Sequence, residues 1–315
     1  MKLDVIIPTY NRHELLPLTL NSLLAAEIPP GLEVGITVVD NNSTDGTRQV
    51  IESYGEKSGG RIRYVFERQQ GRSHALNAGV KATDGDLVGV IDDDEEIDPQ
   101  WYKVAFEAFT TSDLDFIGGP YVPQWSITPP RWLPPEYGSV VGWVNGGDEE
   151  VPFDKNYPGI LMGGNAVFKR DILLKVGLYT TWLGRTDKGL LSGEDEELYD
   201  RLLASGAKGR YLPSLKIYHH VPAERLTKKY FRSWCFWRGV SLGLRERKRK
   251  QECAYLFGIP RWHYRSAARG LATSLAVVFV PPKQENKAFA SELAMWDFLG
   301  LFYGKHFRRD ERVQE

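Results

Sequence analysis

Short apolar runs alternate with segments of helical periodicity over the first third of the chain. Residues 3–8 (LDVIIP), 34–40 (VGITVVD), 62–66 and 86–91 (DLVGVI) read as strands. Between them, 12–26 carries leucines at helical spacing, and 47–54 and 73–81 continue the helical pattern. Strands of about six residues alternating with helices predict an α/β fold, a mostly parallel sheet covered on both faces. Asn11 with Glu14 three positions on predicts a capping box for the first helix. Pro17 inside that helix predicts a local kink.

The middle of the chain differs. Residues 118–158 are rich in Pro, Gly and Trp, with Trp125, Trp132 and Trp143 spaced among six prolines before Val151. A segment of that length exceeds a simple connector and predicts an ordered, functional loop. Regular structure resumes at 163–168 (GGNAVF), followed by a helix from Arg170 and another opened by Gly193-Glu194-Asp195. Beyond His220 the pattern is helical to the end, with an amphipathic segment around 288–302. The expected division is therefore an α/β region, 1–222, and a helical region, 223–315.

At 315 residues, 42% hydrophobic and 26% charged, the chain can bury a sizeable core without covalent staples. Cys235 and Cys253 are too few and too far apart for a disulfide scaffold or zinc site, and they fit a reducing cytoplasm. The sequence enters an apolar strand almost at once, so no signal peptide is expected. No run reaches the ~18–20 apolar residues that span a bilayer; the longest candidate, 271–280, stops at Pro281-Pro282. The formal net charge of −1 hides an asymmetry. Residues 84–98 hold eight acids and no Lys or Arg, whereas 224–269 hold thirteen basic and three acidic residues. An acidic knot and a basic tail suggest a cation site and an anionic surface or ligand.

The acidic knot directly follows a buried strand. In open α/β sheets ligands sit outside the carboxyl ends of strands, where Asp92-Asp93-Asp94 stands. Three adjacent carboxylates repel one another, and a divalent cation, Mn²⁺ or Mg²⁺, offsets that cost most simply. Asp40 ends the second strand and can accept from a nucleobase N–H; a turn-forming Asp is its plain alternative. Asp195 lies above Leu198, Tyr199 and Leu202, the stripe that faces the protein, while Glu196 and Glu197 fall away from it. An inward carboxylate at a helix start is a candidate general base, although helix-dipole capping alone also explains the acids there. One of His219 and His220 is available as a further metal ligand. The tryptophans serve either packing or, as platforms for sugar rings, acceptor binding.

With these residues in view the chain resembles glycosyltransferase family 2, an inverting family with the GT-A fold. The resemblance spans roughly residues 3–225 and rests on VIIPTYNR, VVDNNSTDGT, GRSHALNAGVKATDGDLVGVIDDD, GGNAVFKRDILLKVG and GEDEELYDRLLASG, in that order. It implies a Rossmann-like catalytic domain, 1–222, with a nucleotide-binding half, 1–117, and an acceptor and base half, 118–222. Pro8, Thr9, Asp40 and Arg72 would line the nucleotide pocket, Asp92 and Asp93 would contact the donor, and Asp94 would hold the metal with His219. Asp195 would be the base, with Glu194, Trp125, Trp132 and Trp143 on the acceptor side. The middle acid, Asp93, departs from the family's usual DXD pattern, so which two of the three acids act stays open. The expected substrates are a UDP- or GDP-sugar donor and a glycan or lipid-linked glycan acceptor in polysaccharide biosynthesis. The basic C-terminal region is expected to lie on the inner face of the membrane, with 271–280 in the interface, or else to pack as a helical subdomain.

Other classes fit less well. VGVIDDDE resembles a Walker B strand, but no G-x-x-x-x-G-K-[ST] loop exists, and no G-x-G-x-x-G follows the first strand. Nucleic-acid binding would rest on the basic tail alone and is not expected. A catalytically inactive nucleotide-sugar sensor or scaffold is the main rival, and such a protein would need no base.

Overall fold

The computed structural model describes residues 1–186, 189–248, 253–275 and 284–308. The chain divides into two compact units. The first comprises Met1–Gln124, Val144–Thr181 and Glu194–His220; the second comprises Trp125–Trp143, Trp182–Gly193 and Val221–Glu315. This differs from a single cut after residue 222. The two shorter segments join the C-terminal helices because they supply apolar side chains to that unit's clusters, among them Leu133, Val141 and Leu191.

The first unit opens with β1 (Lys2–Thr9), α1 (Leu16–Ala25), β2 (Glu33–Asp40), α2 (Thr47–Lys57), β3 (Ile62–Phe66), α3 (Arg72–Lys81) and β4 (Leu87–Ile91). It continues through β5 (Glu95–Ile97), α4 (Trp101–Thr111), β6 (Phe116–Gly118), β7 (Tyr121–Trp125), β8 (Val151–Phe153), β9 (Asn165–Lys169) and α5 (Arg170–Val176). The last elements are α6 (Glu194–Ala204), β10 (Gly209–Tyr211) and β11 (Ile217–Val221). An eight-stranded sheet runs β3-β2-β1-β4-β9-β6-β10-β8. Its first four strands are parallel, β9 runs against both neighbours, and β8 runs against β10.

Alternation along β1 builds both cores. Leu3, Val5 and Ile7 enter one apolar cluster, with residues of α1 and α4, while Ile6 enters the other with Ala75 and Leu76 of α3. That division follows from successive strand side chains pointing to opposite faces. Because β2 and β4 flank β1 on opposite sides, the strand order reverses at β1, and a crevice opens beyond the carboxyl ends there. A smaller sheet, β5-β11-β7, adjoins this end of the chain's acidic run.

The first helix departs from expectation. It begins at Leu16, with no side-chain cap. Asn11 instead adopts φ +52°, and its side-chain oxygen accepts from Thr44 N–H at 2.8 Å, so it pins two loops together. Pro17 falls in the first turn, where its missing N–H breaks no helical bond, and the predicted kink has no cause.

The second unit contains α7 (Lys228–Lys248), a hairpin of β12 (Tyr255–Leu256) and β13 (Ile259–Pro260), α8 (Arg261–Leu275) and α9 (Glu285–His306). Helices α7 and α9 meet backbone to backbone. A Cβ on Gly239 would stand 2.0 Å from the Asp297 carbonyl oxygen, and one on Gly300 1.8 Å from that of Phe236. Gly243 and Gly304 sit four residues further along each helix, and a Cβ there would meet backbone oxygens at 2.5 and 2.4 Å. Among the described residues no helix is long and apolar enough to cross a membrane. Residues 276–280 of the apolar stretch lie outside the described residues.

Candidate active site

Strand register assembles the site within the first unit. Thr9 pairs with Asp40, bringing the ends of β1 and β2 level. Ile91 at the end of β4 pairs with Asn165 of β9, which sets Gly164 opposite Asp92. His219 of β11 pairs with Glu95 of β5, one residue beyond Asp94.

Arg72, the first residue of α3, is the hub. Its Nε donates to Asp92 Oδ1 at 3.0 Å, and its Nη2 lies 2.9 Å from the same oxygen as an ion-pair contact. Its Nη1 donates to Glu194 Oε1 at 3.2 Å and to Asp195 Oδ1 at 3.1 Å. Burial opposes the guanidinium charge, but the carboxylates of Asp92, Asp195 and Glu194 overcome it and hold the group firmly protonated. Asp195 answers in kind. Burial raises its pKa, Arg72 pulls it down, and the net position is above the ordinary carboxylate value.

Two glycines make room for these acids. A Cβ at Gly163 would meet Asp195 Oδ1 at 2.0 Å, and one at Gly164 would meet Glu95 and Asp92 oxygens at 2.6 and 2.8 Å. Any other residue at either position would displace a carboxylate. Asn165, next in line, is fully buried and accepts from Trp101 Nε1 at 2.9 Å while donating to the Pro120 and Leu215 carbonyls. It therefore locks β9 to α4 and to the approaches of the smaller sheet.

The three consecutive acids face different surroundings. Asp92 holds Arg72. Asp93 lies 3.7 Å from Arg12 Nε, and burial together with the neighbouring Asp94 raises its pKa to about 7. Asp94 is buried with its Oδ1 3.7 Å from His219 Nε2. The alternation of β11 separates the histidine pair, for His220 turns instead to Glu96 at 2.6 Å. Glu95 accepts the Asp92 N–H at 2.9 Å and is 1% exposed; burial, then Asp92 and Asp94, raise its pKa well above normal.

Pro8 and Thr9 are buried at the end of β1. Asp40 accepts from Ser43 N–H at 2.8 Å and from the Tyr64 hydroxyl at 3.1 Å, which leaves further acceptor capacity on its carboxylate. Burial, then the Asp40 charge, push the Tyr64 phenol up to about 12. Asn41 was not singled out by its sequence, yet it donates to the Glu67 and Gln69 carbonyls and accepts Gly71 N–H at 2.8 Å. That clamp fixes the loop that presents Arg72. Its only sequence signal is the polar residue directly after Asp40.

The residues expected on the acceptor side lie in different surroundings. Glu194 is 4% exposed, with its Oε1 3.2 Å from Arg72 Nη1. Trp132 is partly buried in the second unit, edge-on to Phe231 and Phe289 at 5.4 and 5.1 Å. Trp125 and Trp143 also belong to the second unit, edge to face at 6.2 Å, with Trp143 exposed.

Six carboxylates (Asp92, Asp93, Asp94, Glu95, Glu194 and Asp195) gather around Arg72 and Arg12. Among the described residues no three His, Cys, Asp or Glu side chains form a metal cage. The donors present, Asp94 and His219, suit a cation that takes one or two protein ligands and completes its shell with phosphate oxygens and water, as Mg²⁺ and Mn²⁺ do.

Residues 4–177 match the profile of glycosyl transferase family 2. The chain belongs to this family. A family 2 relative, the glucosyl-dolichyl phosphate glucuronosyltransferase of Haloferax volcanii, is 28% identical over 246 residues, covering 76% of each chain. The succinoglycan biosynthesis protein ExoM of Rhizobium meliloti is 26% identical, over 74% of this chain and 73% of its own. In three dimensions the chain is similar to a Pyrobaculum calidifontis mannosyltransferase solved with GDP-Man and Mn²⁺, with a TM-score of 0.64. The match covers 98% of this chain and 88% of that one at 18% identity, a likeness of fold. The fold is GT-A, and the protein is a family 2 glycosyltransferase, a transferase of the nucleotide-sugar-dependent kind.

Proposed function

We propose that the chain transfers a sugar, with inversion, from a UDP- or GDP-sugar to a hydroxyl of a glycan or lipid-linked glycan. The observation that carries this reading is Arg72, which bonds the acid after β4 and the acid of α6 at once and so joins donor side to base. In this reading Pro8, Thr9 and Asp40 receive the nucleoside, Asp40 accepting a base N–H. Arg72, Asp92 and Asp93 border the diphosphate and ribose. Asp94, with His219, would hold Mn²⁺ or Mg²⁺, which when bound neutralises charge on the departing diphosphate. Excess carboxylate over guanidinium in the cluster supports that assignment.

Asp195 takes the proton from the acceptor hydroxyl as that oxygen attacks the anomeric carbon and the bond to the diphosphate breaks. Its raised pKa makes it a stronger base than a surface carboxylate, and Arg72 opposes that rise. The acceptor class is supported by the relatives' names, which speak of glucosyl-dolichyl phosphate and of succinoglycan. Calorimetric titration of UDP and GDP with and without Mn²⁺ tests the donor side. One nucleotide should bind roughly tenfold or more tightly with the metal, and Asp94→Ala should remove that gain. Binding indifferent to both metal and substitution would remove Asp94 from its role.

A further inference from the structure

The β12–β13 hairpin and α8 present a surface that the transfer chemistry does not use. Tyr255 pairs with Pro260 and Leu256 with Ile259, leaving Phe257-Gly258 as a two-residue turn with φ of +45° and +71°. Such turns favour Asn-Gly or Asp-Gly, because a bulky side chain at positive φ is crowded by its own backbone. Phe257 is also 76% exposed, so packing does not offset the strain. A residue that suits neither its backbone nor its solvent points to something outside the chain.

The tip is rigidly held. Arg261 N–H donates to the Ala254 carbonyl, the Tyr264 hydroxyl to that of Leu256, and the Tyr255 hydroxyl to Glu246, each at 2.9 Å. Leu256 and Trp262 are exposed beside Phe257. Gly258 rests against Lys305 and His306, and Phe307, next along the chain, is exposed as well. Arg261, Arg265 and Arg269 follow at four-residue spacing on α8 and are all exposed, and 253–275 contains no Asp or Glu.

We propose that this surface docks the protein on an anionic lipid bilayer. Phe257, Leu256 and Trp262 enter the boundary between headgroups and acyl chains, and the arginine row pairs with lipid phosphates. A preordered tip loses little freedom on insertion, and the segment 253–275 that carries the tip and the arginine row adds no acid to oppose the attraction. The proposal goes beyond the transferase reading and stands apart from it, since no residue of the donor site takes part.

Sedimentation of the full chain with phosphatidylcholine vesicles, with and without phosphatidylglycerol, tests it. The protein should bind the anionic vesicles, less so as salt rises. Phe257→Asn suits the turn, so it should keep or raise Tm while weakening vesicle binding by about tenfold. Arg261, Arg265 and Arg269 all changed to Glu should abolish binding, and nucleotide titrations should be unaltered in both variants. Failure to bind anionic vesicles, or equal binding by Phe257→Asn, overturns the proposal. A dimer that Phe257→Asn dissolves, in place of vesicle binding, overturns it too.

Discussion

Arg72 shows how one side chain can hold several acids in place. Without it, Asp92, Glu194 and Asp195 would repel one another in a buried site. Its charge also lowers the pKa of Asp195, which burial alone would push higher. Activity that requires ionised Asp195 falls as pH drops through that group's pKa, so the acid limb of kcat should lie above the ordinary carboxylate range. Arg72→Gln removes the influence that lowers it, and the limb should move to higher pH, with kcat down roughly 10²–10³-fold. A limb that stays put or moves to lower pH would detach Arg72 from the base. The acids themselves were legible in sequence because they stand directly after apolar runs. Their partners were not. Nothing local points Glu194, expected on the acceptor side, at Arg72, and nothing local distinguishes His219 from His220 until the register of β11 is known.

At the scale of elements, β1 to β4 and the helices between them could be read from periodicity, since each is a local pattern. The position of β9 could not. It enters the sheet antiparallel between β4 and β6, a long-range pairing, and this is what sets Gly163 and Gly164 against the acids. The Asn11–Glu14 pattern misled because Asn11 was already engaged with a loop thirty-three residues away. Likewise the glycines of α7 and α9 matter only when the two helices are side by side. Gly300→Ala should destabilise the second unit by about 1–3 kcal/mol, since its Cβ meets backbone that cannot rotate away. Thermal unfolding measures this, and an unchanged Tm would mean that the helices do not pack so closely.

The whole molecule places its chemistry at one end of a sheet. Reversal of strand order at β1 opens a crevice, the parallel strands deliver Thr9, Asp40 and Asp92 to it, and α6 brings Asp195 to the same guanidinium as Asp92. A pure nucleotide-sugar binder would use the first three and have no need of the fourth. The most direct measurement therefore separates binding from turnover in one variant. In Asp195→Asn, calorimetric affinity for the donor nucleotide should be little changed, while release of nucleotide from the sugar donor falls roughly 10²–10⁴-fold. Turnover close to that of the wild type would contradict Asp195 as the base, and with it the account of how this site transfers sugar.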